Sequence, residues 1–371
     1  MNKSFRRFSS LFLLATLPLV SAFAATPIGK LYTMSNATTG NKVLVYNRLS
    51  DGSLSKTAQV PTAGIGTGGG LGNQGALALS GDGFFLFAVN AGSNSISSFR
   101  LTSNGLVLIN TVPSGGITPV SLTEDRGRLF VLNAGNGTNP GNIFSFRVNH
   151  NGNLSPMAYS ERALSSNDAS TGAAQISFSD NGKQLIVTEK ATDLILTYQV
   201  YGYYVSGKPT LNASSGQTPF GFAVGKRNQV FVSNAAGGTP DSSSLSSYRL
   251  LPQGQLHVLS PTVATEETAA CWVALTPDGR YAFTTNTASG TVSSFRIGMN
   301  GKVVLANNDA GITGAGSGPI DMIVGPESRF LYTLNAGTET ISSFAVGLDG
   351  ALTLLTTQTG LPDGANGLIV R

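Results

Sequence analysis

The 371-residue chain has a single cysteine, Cys271, so it can form no internal disulfide and must draw its stability from buried apolar surface. Its only histidines are His150 and His257, too few and too far apart in sequence for a Cys/His zinc cluster. Calcium-loop and Walker patterns are missing as well, and no metal or cofactor is expected. Charged residues make up only 11% of the chain. The formal charge of +4 is concentrated at the N-terminus: without Lys3, Arg6 and Arg7 the balance is 20 basic to 19 acidic residues. That balance supports neither a nucleic-acid nor a membrane-surface partner. The most continuous apolar run, "LFLLATLPLV" at 11–20, is too short for a permanent membrane span.

That run follows Lys3, Arg6 and Arg7 and precedes Ala22-Phe23-Ala24, the order of a secretory signal peptide and its cleavage site. Residues 1–24 are therefore expected to direct export to a secreted or periplasmic location. Arg6-Arg7-Phe8 leaves the twin-arginine route open beside the general one. The mature chain, 25–371, is expected to form one domain, and a monomer is expected because no oligomer interface is legible.

What the sequence does contain is glycine (46 residues) and repetition. "FAVNAGSNSISSFRL" at 87–101 returns as "YTLNAGTETISSFAV" at 332–346. The shared phrase, an aliphatic residue followed three positions on by an aromatic, occurs seven times at intervals of about fifty residues. Its aromatics are Tyr46, Phe99, Phe146, Tyr198, Tyr248, Phe295 and Phe344. Each copy leads into a turn: Asp51-Gly52, Asn104-Gly105, Asn151-Gly152, Ser206-Gly207, Gln253-Gly254, Asn300-Gly301 and Asp349-Gly350. Such dipeptides favour hairpins. Most copies carry a second turn before a short apolar strand, as at Asp82-Gly83 and Asp278-Gly279. Four antiparallel strands per unit is the pattern of a propeller blade.

The two chain ends supply a separate test. "ANGLIVR" at 365–371 matches only a first strand, and "PIGKLYTMSNA" at 27–37 matches a second. Neither is a blade alone, but together they complete one and remove two exposed sheet edges. The expected fold is an all-β, seven-bladed β-propeller closed by its own termini.

With the repeat laid out, the chain resembles the lactonase-type seven-bladed propellers, the family of bacterial phosphogluconolactonase and fungal carboxymuconate cyclase. The resemblance runs from about residue 28 to the C-terminus and rests on phrases such as "VALTPDGRYAFTTNTASGTVSSFRI" at 273–297. It implies a site of His, Glu and Arg above the central channel. At the matching positions this chain has Ala174-Gln175, Trp272 and Thr287. The resemblance therefore implies the fold more strongly than the activity.

Opening a lactone requires a base to activate water and a donor for the developing oxyanion. The histidines fall in a turn and in an outer strand, where solvation is the simpler role. The fourth unit instead reads "VTEKATD" (187–193) where its neighbours read "NAG", which points to Glu189 and Lys190 in the loop after a second strand. Glu267, beside Glu266, precedes a first strand. The candidate catalytic residues are Glu189, Lys190 and Glu267. Gln74, Gln175, Phe220, Trp272 and Asp321 are the candidate ligand-binding ring at the channel mouth. "GIGTGG" at 64–69 fits a dinucleotide pattern, but no helix follows, and it reads as a flexible connector. Two functions remain open: an exported hydrolase for a lactone or related small cyclic ester, or a non-catalytic propeller binding a small molecule, glycan or protein on the same face.

Overall fold

The computed structural model describes Met1, residues 24–167 and residues 170–371. The expected signal segment otherwise lies outside the described residues. Seven antiparallel sheets form the ring, as expected. Blade 1 is built from both ends of the chain: Asn366–Val370 innermost, then Pro27–Met34, Lys42–Leu49 and Leu54–Pro61. The closing register pairs Leu31 with Val370, Tyr32 with Ile369 and Thr33 with Leu368.

Blades 2 to 7 follow in chain order from the inside outwards. Their innermost strands are Leu77–Leu79, Pro119–Asp125, Ala173–Phe178, Pro219–Gly225, Ala270–Leu275 and Pro319–Val324. In blades 3 and 4 the outer edge is split into two short strands. All seven repeat aromatics are buried, none more than 1% exposed, in the apolar layers where the sheets stack. Full burial of such a ring contributes about 1.5–3 kcal/mol, so the repeat is a packing device.

Six of the seven expected turn glycines take positive φ, from +84° at Gly301 to +117° at Gly105. Blade 4 departs from expectation. Its hairpin turns at Gly202 (φ +62°), where Tyr201 pairs with Tyr204, and not at Ser206-Gly207.

The recurring "NAG" phrase has a specific cause. The asparagine that ends the second strand is buried, and its side-chain amide donates to hydroxyls five and seven residues later. Asn90 reaches Ser95 and Ser97, Asn286 reaches Thr291 and Ser293, and Asn335 reaches Thr340 and Ser342. The hydroxyls sit on the third strand, so each asparagine ties two strands together at one end of the blade. In blade 4 the same places hold Glu189, Leu194 and Leu196.

Candidate functional site

The innermost strands bulge just after they begin, and the residue beyond the bulge reaches towards the next blade. In blade 3, Ser121 accepts the Ile176 amide at 3.1 Å. In blade 4 the Gln175 amide makes a two-bond clasp, donating to Phe222 O (2.9 Å) and accepting from Phe222 N (2.6 Å). In blade 7 the Asp321 carboxyl accepts the amides of Met322 (2.8 Å) and of Leu368 on the closing strand. Blade 5 has Gly221 at this position and so has no side chain to offer.

Gln74 makes the missing clasp from across the ring. Its amide donates to Val273 O (2.8 Å) and accepts from Val273 N (3.2 Å) in blade 6. A Cβ on Gly221 would lie 2.2 Å from Gln74 Oε1, so the close approach requires glycine. The connector preceding blade 2 thus leaves its own blade and occupies the channel mouth. Asn73 donates to Val120 O in blade 3, and Gln74 N donates to Ala174 O in blade 4 at 3.2 Å. Trp272 Nε1 donates to Asn73 O at 2.7 Å, and Lys190 Nζ donates to Gly72 O at 2.5 Å. The glycines at 64–69 were expected to form a flexible connector leading directly into a strand. In fact the first strand of blade 2 begins only at Leu77, and 71–75 form the centre of the site.

Around this peptide lie Lys190, Phe220, Cys271 and Trp272. The Phe220 and Trp272 rings stand 4.9 Å apart, and the Lys190 ammonium sits 4.7 Å from the Phe220 centroid. Burial pulls the Lys190 amine below the usual lysine range, opposed in part by Cys271. Burial likewise pushes the Cys271 thiol up to about 11, against smaller opposing effects of Thr287 and Lys190. The cluster therefore favours a thiol over a thiolate, and the ring face and the Gly72 carbonyl offset part of the lysine's lost hydration.

The structure brings Lys190, Phe220 and Trp272 into contact, with Gln74 bonded to Val273 beside Trp272 and Gln175 bonded to Phe222 in the neighbouring wall. It places Glu189 differently from expectation, as the last residue of the strand Gln184–Glu189 and fully buried. Its carboxylate accepts Ser165 N (3.0 Å), Ser165 Oγ (2.5 Å) and Thr192 Oγ1 (2.7 Å), so it is held by the connector after the outer strand of blade 3 and by its own loop, away from the mouth. Leu194 and Leu196 cannot answer an asparagine amide, so blade 4 has turned the position round, from donor to acceptor. The Glu267 backbone is anchored by Ser243 and Thr265, and among the described residues its half-buried carboxylate has no partner and no contact with Lys190. Asp321 serves the ring closure, and burial raises its carboxyl to about 8. His150 and His257 are exposed. Among the described residues no group of three His, Cys, Asp or Glu could hold a metal ion.

Sequence reasoning missed Gly72, Asn73, Cys271 and Gly221. The missed signal was the "LGNQG" that ends the glycine run at 71–75, whose polar side chains a mere linker would not require.

These features define a seven-bladed propeller, closed by its termini, whose polar and aromatic groups converge at one end of the central channel. The chain belongs to the family described as Lactonase, 7-bladed beta-propeller, whose profile matches residues 31–162 and 208–322. The unmatched stretch between them holds most of blade 4, including Glu189 and Lys190. No curated protein matches the chain.

Among solved structures it is similar to a candidate 6-phosphogluconolactonase of Bacteroides uniformis, at 18% identity and TM-score 0.73 over 92% of this chain and 99% of that one. It is similar also to the periplasmic gluconolactonase PpgL of Pseudomonas aeruginosa, at 16% identity and TM-score 0.68 over 92% and 99%. A hypothetical selenium-binding protein of Sulfolobus tokodaii shares the architecture at 12% identity and TM-score 0.64, covering 94% and 92%. At such identities the likeness is one of fold alone.

Proposed function

We propose that the chain is an exported lactonase-type propeller that takes a lactone or related small cyclic ester at the channel mouth. The observation carrying this reading is Lys190. Of the residues that directly follow the second strands of blades 2 to 7 (Ala91, Ala134, Lys190, Ala235, Thr287 and Ala336), it alone is cationic. It is half-buried, faces an aromatic wall and holds a carbonyl oxygen, Gly72 O. An ammonium in that setting suits the oxygen of an ester as it gains negative charge, because a partly dehydrated site strengthens the interaction. Glu267 is the candidate base with a free carboxylate, and it would have to approach through movement of its connector. Among the described residues Lys190 is the one cation shown at the mouth, with no arginine cluster beside it, and this favours an unphosphorylated ligand. Export rests on the basic start, the apolar run at 11–20 and Ala22-Phe23-Ala24.

A second reading is favoured by Glu189, whose carboxylate already has three donors and so is not poised as a base. In that reading the same mouth binds its ligand without turning it over. One experiment separates the two. Purified mature protein and Lys190→Ala are assayed against neutral γ- and δ-lactones, with thermal shift measured in parallel. Turnover above buffer that falls at least about tenfold in the variant supports hydrolysis. A stabilising lactone recovered unchanged supports binding, and neither effect with any lactone overturns the proposal.

A further inference from the structure

The residues that would receive a ligand at the mouth are already engaged by the protein's own backbone. Lys190 Nζ holds Gly72 O and Trp272 Nε1 holds Asn73 O, two successive carbonyl oxygens of one peptide. We propose that the segment 70–75 is an intramolecular gate: it fills the mouth as a surrogate ligand and must withdraw before a neutral, acceptor-rich molecule can reach Lys190 and Trp272. This rests on the reading that the mouth is the ligand site.

The gate has a fixed base, a hinge and a latch. At the base, Asn36 holds the connector to blade 1, accepting Thr67 N at 3.0 Å and donating to Gly69 O at 2.7 Å, while Gly66 N and Gly68 N bond to Ala37 O and Asn36 O. The hinge is Gly70, directly after Gly69 at the end of the base. Both are exposed, and a Cβ on either would meet nothing within 4 Å. The Gly69 carbonyl is held by Asn36 Nδ2 (2.7 Å) and Thr67 Oγ1 (3.2 Å), so the freedom to swing lies in the torsions of Gly70.

The latch is Leu71 to Gly75, bonded to blades 3, 4 and 6 through the bonds already described and through Ser121 Oγ to Gln74 O (2.7 Å) and Leu122 N to Gly75 O (2.8 Å). It is polar more than apolar, and it is imperfect. Asn73 is 1% exposed, yet its Oδ1 has no hydrogen-bond partner. An orphaned buried acceptor raises the free energy of the closed state and narrows the gap to an open one in which water or ligand satisfies it. Opening frees two donors side by side. The ligand class that follows has two acceptor oxygens spaced like consecutive peptide carbonyls, a condition that a lactone carbonyl with a neighbouring hydroxyl or ring oxygen can meet.

The chain carries its own reporters. Trp272 is its only tryptophan and Cys271 its only cysteine, and they are adjacent at the latch. The test measures acrylamide quenching of tryptophan emission and the alkylation rate of Cys271 by iodoacetamide in full mature protein, without any lactone. The wild type is compared with Gln74→Ala, which removes the clasp on Val273, and with the double variant Gly69→Ala, Gly70→Ala, which stiffens the hinge.

Loss of two hydrogen bonds is expected to raise alkylation by about tenfold in Gln74→Ala while the unfolding transition stays cooperative. The hinge variant is expected to slow it several-fold. If folded Gln74→Ala labels at the wild-type rate, the segment is a static part of the core and the proposal fails. It also fails if the denaturant dependence of labelling equals that of global unfolding. Should Gln74→Ala not fold, the hinge variant decides, because it touches no neighbour: an unchanged rate there overturns the gate. Faster labelling in Gln74→Ala combined with no lactone effect leaves the gate standing and removes the ester reading alone.

Discussion

Replacing Asp321 by asparagine should flatten the dependence of stability on pH between about pH 5 and pH 8. In the folded chain the carboxyl is buried in the innermost strand of blade 7, and burial raises it from the ordinary 3.8 to about 8. The two amide donors, Met322 N and Leu368 N, act in the other direction and only partly offset the burial. Between the two values the native state keeps a proton that the unfolded chain has released. Stability from this group is therefore complete below about pH 4 and is lost as pH rises towards 8, at about 1.4 kcal/mol per pH unit. From pH 5 to pH 8 that amounts to about 4 kcal/mol, an upper figure because water can relax a buried site.

Asparagine keeps an acceptor for the same amides and does not ionise. Urea midpoints measured at one-unit intervals should converge near pH 4 and separate towards pH 8, with the variant the more stable at the alkaline end. Parallel curves for the two proteins would refute the reasoning, since they would mean that Asp321 is solvated or ionised in the native ring. The result also bears on architecture. Leu368 lies on the strand that closes the propeller, so ionising Asp321 should loosen the closure first, visible as faster amide exchange in Asn366–Val370 than elsewhere.

Two further outcomes follow from buried charge. Glu189→Ala leaves the Ser165 and Thr192 donors without their acceptor and should lower the urea-unfolding free energy by about 2 kcal/mol or more, with Glu189→Gln losing roughly half as much. Arg48 is fully buried, pairs with Glu327 across the blade 7 to blade 1 joint and lies 5.4 Å over the Tyr332 ring. Glu327→Ala should therefore cost about 3 kcal/mol by leaving the guanidinium uncompensated, and adding Arg48→Met should recover much of it in a double-mutant cycle.

Much of the fold was legible because its determinants are local and repeated. A two-residue turn needs particular residues at particular φ, and a blade needs one large aromatic per third strand, so both leave a mark in every copy. The exception in blade 4, Gly202 in place of Ser206-Gly207, arose where the outer strand is split. The site was less legible. Lys190, Phe220 and Trp272 could be proposed from their places in the repeat, but the gap that Gly221 leaves for Gln74 joins residues 147 positions apart and has no local signature.

The sequence alone determined the number of blades, their order and the joining of the two termini, because hairpin chemistry and alternating burial act over a few residues. Only the tertiary structure decided what fills the centre of the ring. A glycine-rich connector has few side chains to state where it goes; its course was set by donors on three other blades, blades 3, 4 and 6, which no stretch of neighbouring residues can reveal.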